Sequence, residues 1–156
     1  MGMQIKLPGY GAPYPMIVQH TRLISRQKMP SVIRAIAIGS AGERTFIAAA
    51  CQDKKLHIFD ARLREMQSFE FTQWVRCVAM GDLQNNGTMA IIAGSGDKSL
   101  HLYEFEGNLF VEKYVFQFKD FVNTCEIADY DGDGKPDIIV GSWDKTLKIF
   151  DGQTYA

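Results

Sequence analysis

Four carboxylates crowd into nine residues of the chain: Asp129, Asp131 and Asp133 alternate, Gly134 follows, and Asp137 closes the run. Alternate carboxylates on a loop that bends at glycine converge on one centre, which suits a hard, oxygen-preferring cation such as calcium. The competing reading is an Asp/Gly turn that holds itself by side-chain to backbone hydrogen bonds. Four like charges this close repel unless a cation sits among them, which favours the metal. The ion's role would be structural, pinning the strand before the loop to the strand after it.

An EF-hand is excluded. Counting from Asp129, the twelfth residue is Val140 rather than a bidentate Glu, and the flanking segments are short and β-branched rather than amphipathic with helical period. The loop leads into Ile138, Ile139 and Val140, then a turn at Gly141, Ser142, Trp143, Asp144 and Lys145, then Leu147, Lys148, Ile149 and Phe150. That is a β-hairpin with an acidic loop ahead of it. The elements that hold this hairpin recur along the chain. Asp53-Lys54, Asp97-Lys98 and Asp144-Lys145 each open the same pattern of alternating apolar residues, 44 and then 47 residues apart. A period in the mid-forties with several short strands per unit is the signature of β-propeller blades. Innermost strands are predicted at 33–38, 75–80 and 122–128, and second strands at 46–51, 90–94 and 137–141. Third strands follow the Asp-Lys turns, and outer strands are predicted at 66–71 and 109–118. The total is eleven strands.

The run from Asp129 to Asp137 fits the D-x-D-x-D-G-x-x-D loop at every fixed position, and here the chain resembles the FG-GAP repeat family of integrin-α-like propellers. Its tail, GSWDKTLKIFD, is similar to the end of a WD-repeat blade. Both resemblances imply an all-β fold of four-stranded antiparallel propeller blades. On this reading calcium would be held by side-chain oxygens of Asp129, Asp131, Asp133 and Asp137 and by the carbonyl oxygen of Lys135. The corresponding loops are degenerate: the second blade has Asp82, Gln84, Asn86 and Gly87 but Ala90 in the last position, and the first has Gly39 to Glu43. A plain turn is expected in the second, and no ion in the first.

The domain plan is an N-terminal arm over residues 1–30 with one strand at 16–24, then three blades at about 31–73, 74–120 and 121–156. The third blade lacks its fourth strand. Propellers have about four to eight blades, so the expectation is a partial propeller belonging to a longer chain, or a ring closed by oligomerisation through open blade edges. The 16–24 strand is a candidate to complete a blade.

Composition narrows the function. Seventeen basic and eighteen acidic residues leave a formal charge of −1, with no basic excess for nucleic acid and no run of like charges. No apolar stretch suits a signal peptide or a membrane span. Cys51, Cys77 and Cys125 form neither a C-x-x-C pair nor a disulfide framework, so they read as buried free thiols in a reducing, cytoplasmic setting. His57 and His101 share one repeat position and read as packed strand histidines, with no Cys or His at ligand spacing. Asp53, Asp97 and Asp144 read as turn caps with solvated lysines. Trp74 is expected in the core between blades, while Trp143, in a tight turn, is as well suited to a partner as to a neighbouring blade. No nucleophile elbow, phosphate loop or dinucleotide fingerprint is present. The expected function is a non-enzymatic scaffold binding other proteins. The alternative is a calcium-dependent extracellular adhesion or carbohydrate-binding propeller.

Overall fold

The computed structural model describes residues 22–156, together with the backbone of two short strands, β1 (Gln4–Ile5) and β2 (Tyr14–Pro15), which pair antiparallel. Of the strand expected at 16–24, residues 16–21 lie outside the described residues, and residues 22–24 carry no strand.

From Ile33 onward, eleven strands form three antiparallel sheets, each ordered as the chain runs. The first sheet contains β3 (Ile33–Ala41), β4 (Arg44–Cys51), β5 (Lys55–Asp60) and β6 (Glu65–Glu70). The second contains β7 (Val75–Gly81), β8 (Ala90–Ser95), β9 (Ser99–Glu106) and β10 (Leu109–Gln117). The third has β11 (Val122–Ala128), β12 (Asp137–Ser142) and β13 (Leu147–Phe150), with no fourth strand beside β13 among the described residues. The expected period is visible in the register: Ile47 opposes Phe59, Ile91 opposes Tyr103, and Ile138 opposes Phe150. The first strand of every sheet carries a register shift near its start, at Ile33/Ala35, Val75/Cys77 and Val122/Thr124. An extra residue there bends the strand at the same place in each repeat.

The Asp-Lys turns close as expected. Asp53, Asp97 and Asp144 each accept the amide two residues on through Oδ1, at 3.1, 3.1 and 3.0 Å. Between them Lys54, Lys98 and Lys145 take left-handed backbone, with φ of 67, 71 and 67°. The aspartate stabilises a conformation that a lysine alone disfavours.

The sheets stack through two apolar layers. Phe46, Ala48, Leu56 and Ile58 meet Val78, Ile91 and Tyr103 in the first, and Ile92, Leu100 and Leu102 meet Val122, Ile138 and Val140 in the second. Strand β8 serves both layers and is buried at all six positions. At Gly94 a Cβ would stand 2.4 Å from Val122 and 2.6 Å from Cys77, so the absent side chain sets how closely the second and third sheets approach. Cys51, Cys77 and Cys125 are buried and free, as expected. The outward faces are less covered, with Ile36 70% exposed on the first sheet and Leu147 72% exposed on the third. The C-terminal turn folds back on the second sheet, where the Tyr155 hydroxyl donates to Glu104 and accepts from Gln84. Among the described residues no helix is long and apolar enough to cross a membrane.

Candidate functional site

The acidic loop joins β11 to β12, and left-handed glycines fold it back on itself: Gly132 has φ +80° and Gly134 φ +85°. Each aspartate caps part of the resulting turn. Asp129 accepts the amides of Gly132 and Gly134 at 2.8 and 2.9 Å, one on each oxygen. Asp131 accepts the Asp133 amide at 3.1 Å, and Asp137 accepts the Tyr130 amide at 3.1 Å, each using one oxygen.

These bonds leave Asp129, Asp131 and Asp137 with carboxylate oxygens all within 4.8 Å of one another. Asp133 is outside this group and binds the Lys135 amide at 2.8 Å through Oδ1. Lys135, expected to lend a carbonyl oxygen, is placed by its N–H in that bond. Three hard oxygen donors fit calcium in kind, and an ion taking six to eight ligands would complete its shell from backbone carbonyls and water. The structure thus contains both sequence readings: a turn closed by its own hydrogen bonds and a convergent carboxylate trio. In the second-blade loop, Asp82 brackets the amides of Asn86 and Gly87 in the same way.

A second surface was not visible in the sequence as a unit. The segment ahead of each first strand runs beside the Asp-Lys turn of its own sheet: Gly96 donates to the Trp74 carbonyl at 3.0 Å and Trp143 to the Phe121 carbonyl at 2.9 Å. This brings together Arg76 on β7, Phe121, Asn123 on β11, and Trp143. The Arg76 guanidinium lies 4.8 Å from the Phe121 ring centre and 5.1 Å from that of Trp143, and it donates to Asn123 Oδ1 at 3.2 Å. Each cation–π contact at a partly exposed site contributes about 0.5–1 kcal/mol. Arg76 Nε is buried with no hydrogen-bond partner among the described residues. Trp143 is 55% exposed, and Trp74, expected in the core, is 43% exposed. The correction for Trp74 is geometric: it precedes β7 and its register shift and so lies on the loop side of the sheet. Exposed tryptophan beside arginine has the composition of a protein-contact hot spot.

The histidine row is hydrogen-bonded as expected. In the second blade, His101 bonds Glu112 through Nδ1 at 2.5 Å and the Ser99 hydroxyl through Nε2 at 2.9 Å, and Ser99 in turn bonds Asp97.

Residues 82–140, from the second-blade loop into the strand that follows the acidic loop, match the model of the FG-GAP-like repeat family. A search of curated proteins finds no match. Among solved structures, the chain is similar to BBS1N in the crystal structure of BBS1N in complex with ARL6DN, soaked with mercury. The TM-score is 0.64 at 12% identity, covering 79% of this chain and 38% of that one. The lead-soaked form of the same complex gives a TM-score of 0.64 at 12% identity, covering 78% and 34%. This chain therefore spans well under half of those chains, and likeness at such identity establishes the fold alone. The chain is a run of three β-propeller blades whose residues 82–140 carry an FG-GAP-like match.

Proposed function

We propose that this chain is a protein-interaction propeller segment working within a larger chain or assembly, without catalysis of its own. The observation that carries the reading is the Arg76, Phe121 and Trp143 cluster, with Trp74 exposed on the same loop side. Arg76 is fixed on β7, and its ring contacts together with the Trp143 amide bond to the Phe121 carbonyl hold the cluster, so a partner meets a preorganised surface and little ordering cost is incurred on binding. The BBS1N structures support a protein partner by analogy, since there the related fold is crystallised with ARL6DN. Three buried free thiols support a reducing, cytoplasmic setting. The acidic loop would act as a structural calcium site, its ion held by Asp129, Asp131 and Asp137 and joining β11 to β12.

The test is affinity capture with wild type, Trp143→Ala and Arg76→Ala, each checked for folding by circular dichroism. A protein retained by wild type and lost by both variants supports the reading. Identical captured sets from the three folded proteins refute it. A second reading, a calcium-dependent extracellular adhesion or carbohydrate-binding propeller, draws support from the convergence of the three aspartates. Thermal melts with and without calcium, described below, bear on it.

A further inference from the structure

The first blade holds a cluster that its sister blades lack. Cys51 ends β4, Asp53 sits in the turn, and His57 faces the same side from β5. One donor atom from each lies within 4.8 Å of the others. The sequence reading found no cysteine at ligand spacing from His57. The hairpin corrects it by pairing His57 with Ala49, which sets Cys51 one strand over and two residues along.

Proton counting singles out this cluster. His57 is 5% exposed, and both ring nitrogens meet carboxylates: Nδ1 lies 2.6 Å from Glu65 Oε1, and Nε2 lies 2.9 Å from Asp53 Oδ2. A neutral imidazole has one N–H, so it satisfies one of these contacts and turns a lone pair toward the other. In the second blade the conflict is absent, because the Ser99 hydroxyl, able to donate and accept, stands between Asp97 and His101. Lys55 holds that position in the first blade and supplies no hydroxyl. The residue matching Cys51 also differs. Ser95 binds the Asp97 amide and the Gln73 carbonyl, whereas Cys51 makes only a weak 3.8 Å contact with the Ala49 carbonyl. Two carboxylates and an uncommitted thiol therefore converge on one buried ring. Either a proton or a cation between Nε2 and Asp53 resolves the arrangement.

We propose that Cys51, Asp53 and His57 bind zinc, or a similar divalent ion that prefers nitrogen and sulfur, with Glu65 orienting the histidine. Sulfur, nitrogen and one carboxylate are ligands of this class, and zinc sites with three protein ligands take water in the fourth position. Glu65 accepting from Nδ1–H is the usual outer partner of a metal-bound imidazole; it leaves the Nε2 lone pair facing Asp53. Ala49, Phe59 and Met29 pack around Cys51 and keep the sulfur side dry. Binding replaces the Cys51 S–H proton, which passes to solvent.

Cobalt is the spectroscopic probe. Titrating the full chain with Co²⁺ should give a thiolate-to-cobalt charge-transfer band that saturates at one equivalent and is displaced by Zn²⁺. Cys51→Ser should abolish the band, while Cys77→Ser and Cys125→Ser retain it. Glu65→Gln, on a half-exposed side chain that does not touch the ion, should keep the band and weaken affinity about 10- to 100-fold. No band in wild type, or a band that survives Cys51→Ser, would overturn the site. If Cys51→Ser does not fold, the Glu65→Gln affinity decides, and an unchanged value counts against the assignment.

Discussion

Two isoleucines separate a stacked-sheet architecture from a loosely associated set of hairpins. Ile91, in β8, is fully buried between the first and second sheets, whereas Ile36, in β3, is 70% exposed on the outward face of the first. Truncation to alanine removes the same atoms at both positions. At Ile91 the lost transfer free energy is about 2–2.5 kcal/mol for three carbons at ~0.8 kcal/mol each. A cavity of a few tens of Å³ adds about 1 kcal/mol at ~24 cal/mol per Å³. Ile91→Ala should therefore cost about 3–3.5 kcal/mol, or roughly 6–14 °C in Tm for a domain of this size. Ile36→Ala should cost no more than about 0.5 kcal/mol. Urea melts followed by tryptophan fluorescence measure both, and the midpoint should fall with an unchanged slope. A loss below about 1 kcal/mol at Ile91 would refute the inter-sheet layer. Melts at two protein concentrations add a second check. A cost at Ile36 that grows with concentration would show another copy seated on the first sheet, the self-association expected of open blade edges.

Gly94→Ala places a methyl 2.4 Å from Val122 and 2.6 Å from the Cys77 sulfur, so the second and third sheets must separate; the expected loss is about 1–3 kcal/mol by urea melt. In the acidic loop, calcium at 100 times its Kd should stabilise wild type by about 2.7 kcal/mol, some 5–11 °C in Tm. Asp131→Asn should lose most of that gain while melting like wild type in chelator, and equal shifts in both conditions would remove the metal. Acid stability has a stated sign. The Thr154 amide first, then the Gln153 amide, hold the Asp151 carboxyl below its usual range, and the Arg64 amide does the same for Asp60. Depressed folded-state values stabilise the fold above the unfolded value near 3.8 and lose that contribution as pH falls through them. The contribution of these two carboxylates should be level from neutrality to about pH 5 and drop below about pH 4. Asp151→Asn should flatten the drop, as read from Tm against pH.

The repeated Asp-Lys turn made most of the fold legible in advance. Its recurrence at Asp53, Asp97 and Asp144 fixes where three hairpins turn, and local hydrogen bonds, which depend on adjacent residues, then dictate the backbone. The acidic loop was legible for the same reason, since its four aspartates and two glycines are neighbours in sequence. Asp133 stands apart from the other three, with its Oδ1 on the Lys135 amide, a separation that alternate spacing does not show. The Arg76 cluster was hidden because its members come from different repeats, with Asn123 47 residues from Arg76. Trp74 was misplaced because it lies just ahead of β7, outside the strand whose side chains pack between sheets. Cys51 and His57 are close in sequence, yet their meeting depends on pairing across a hairpin rather than on helix- or finger-like ligand spacing.

The position of β8, buried on both faces, also governs how the chain opens. In a stack where each sheet touches only its neighbours, stability is set by nearest-neighbour terms, as in a one-dimensional array. Among the described residues the middle sheet is held by two interfaces and each flanking sheet by one, so fluctuations should peel from the outside inward. Amide protons of Ala90–Ser95 would exchange only when the whole array comes apart, while those of β3 and β13 escape through partial opening. The Arg76–Trp143 contact ties the third sheet to that slow centre, and the acidic loop meets the second blade where the Asn85 side-chain amide donates to the Gly134 carbonyl at 3.4 Å. Anything bound at either place would therefore raise protection well beyond its own footprint, coupling a local contact to the cooperativity of the entire stack.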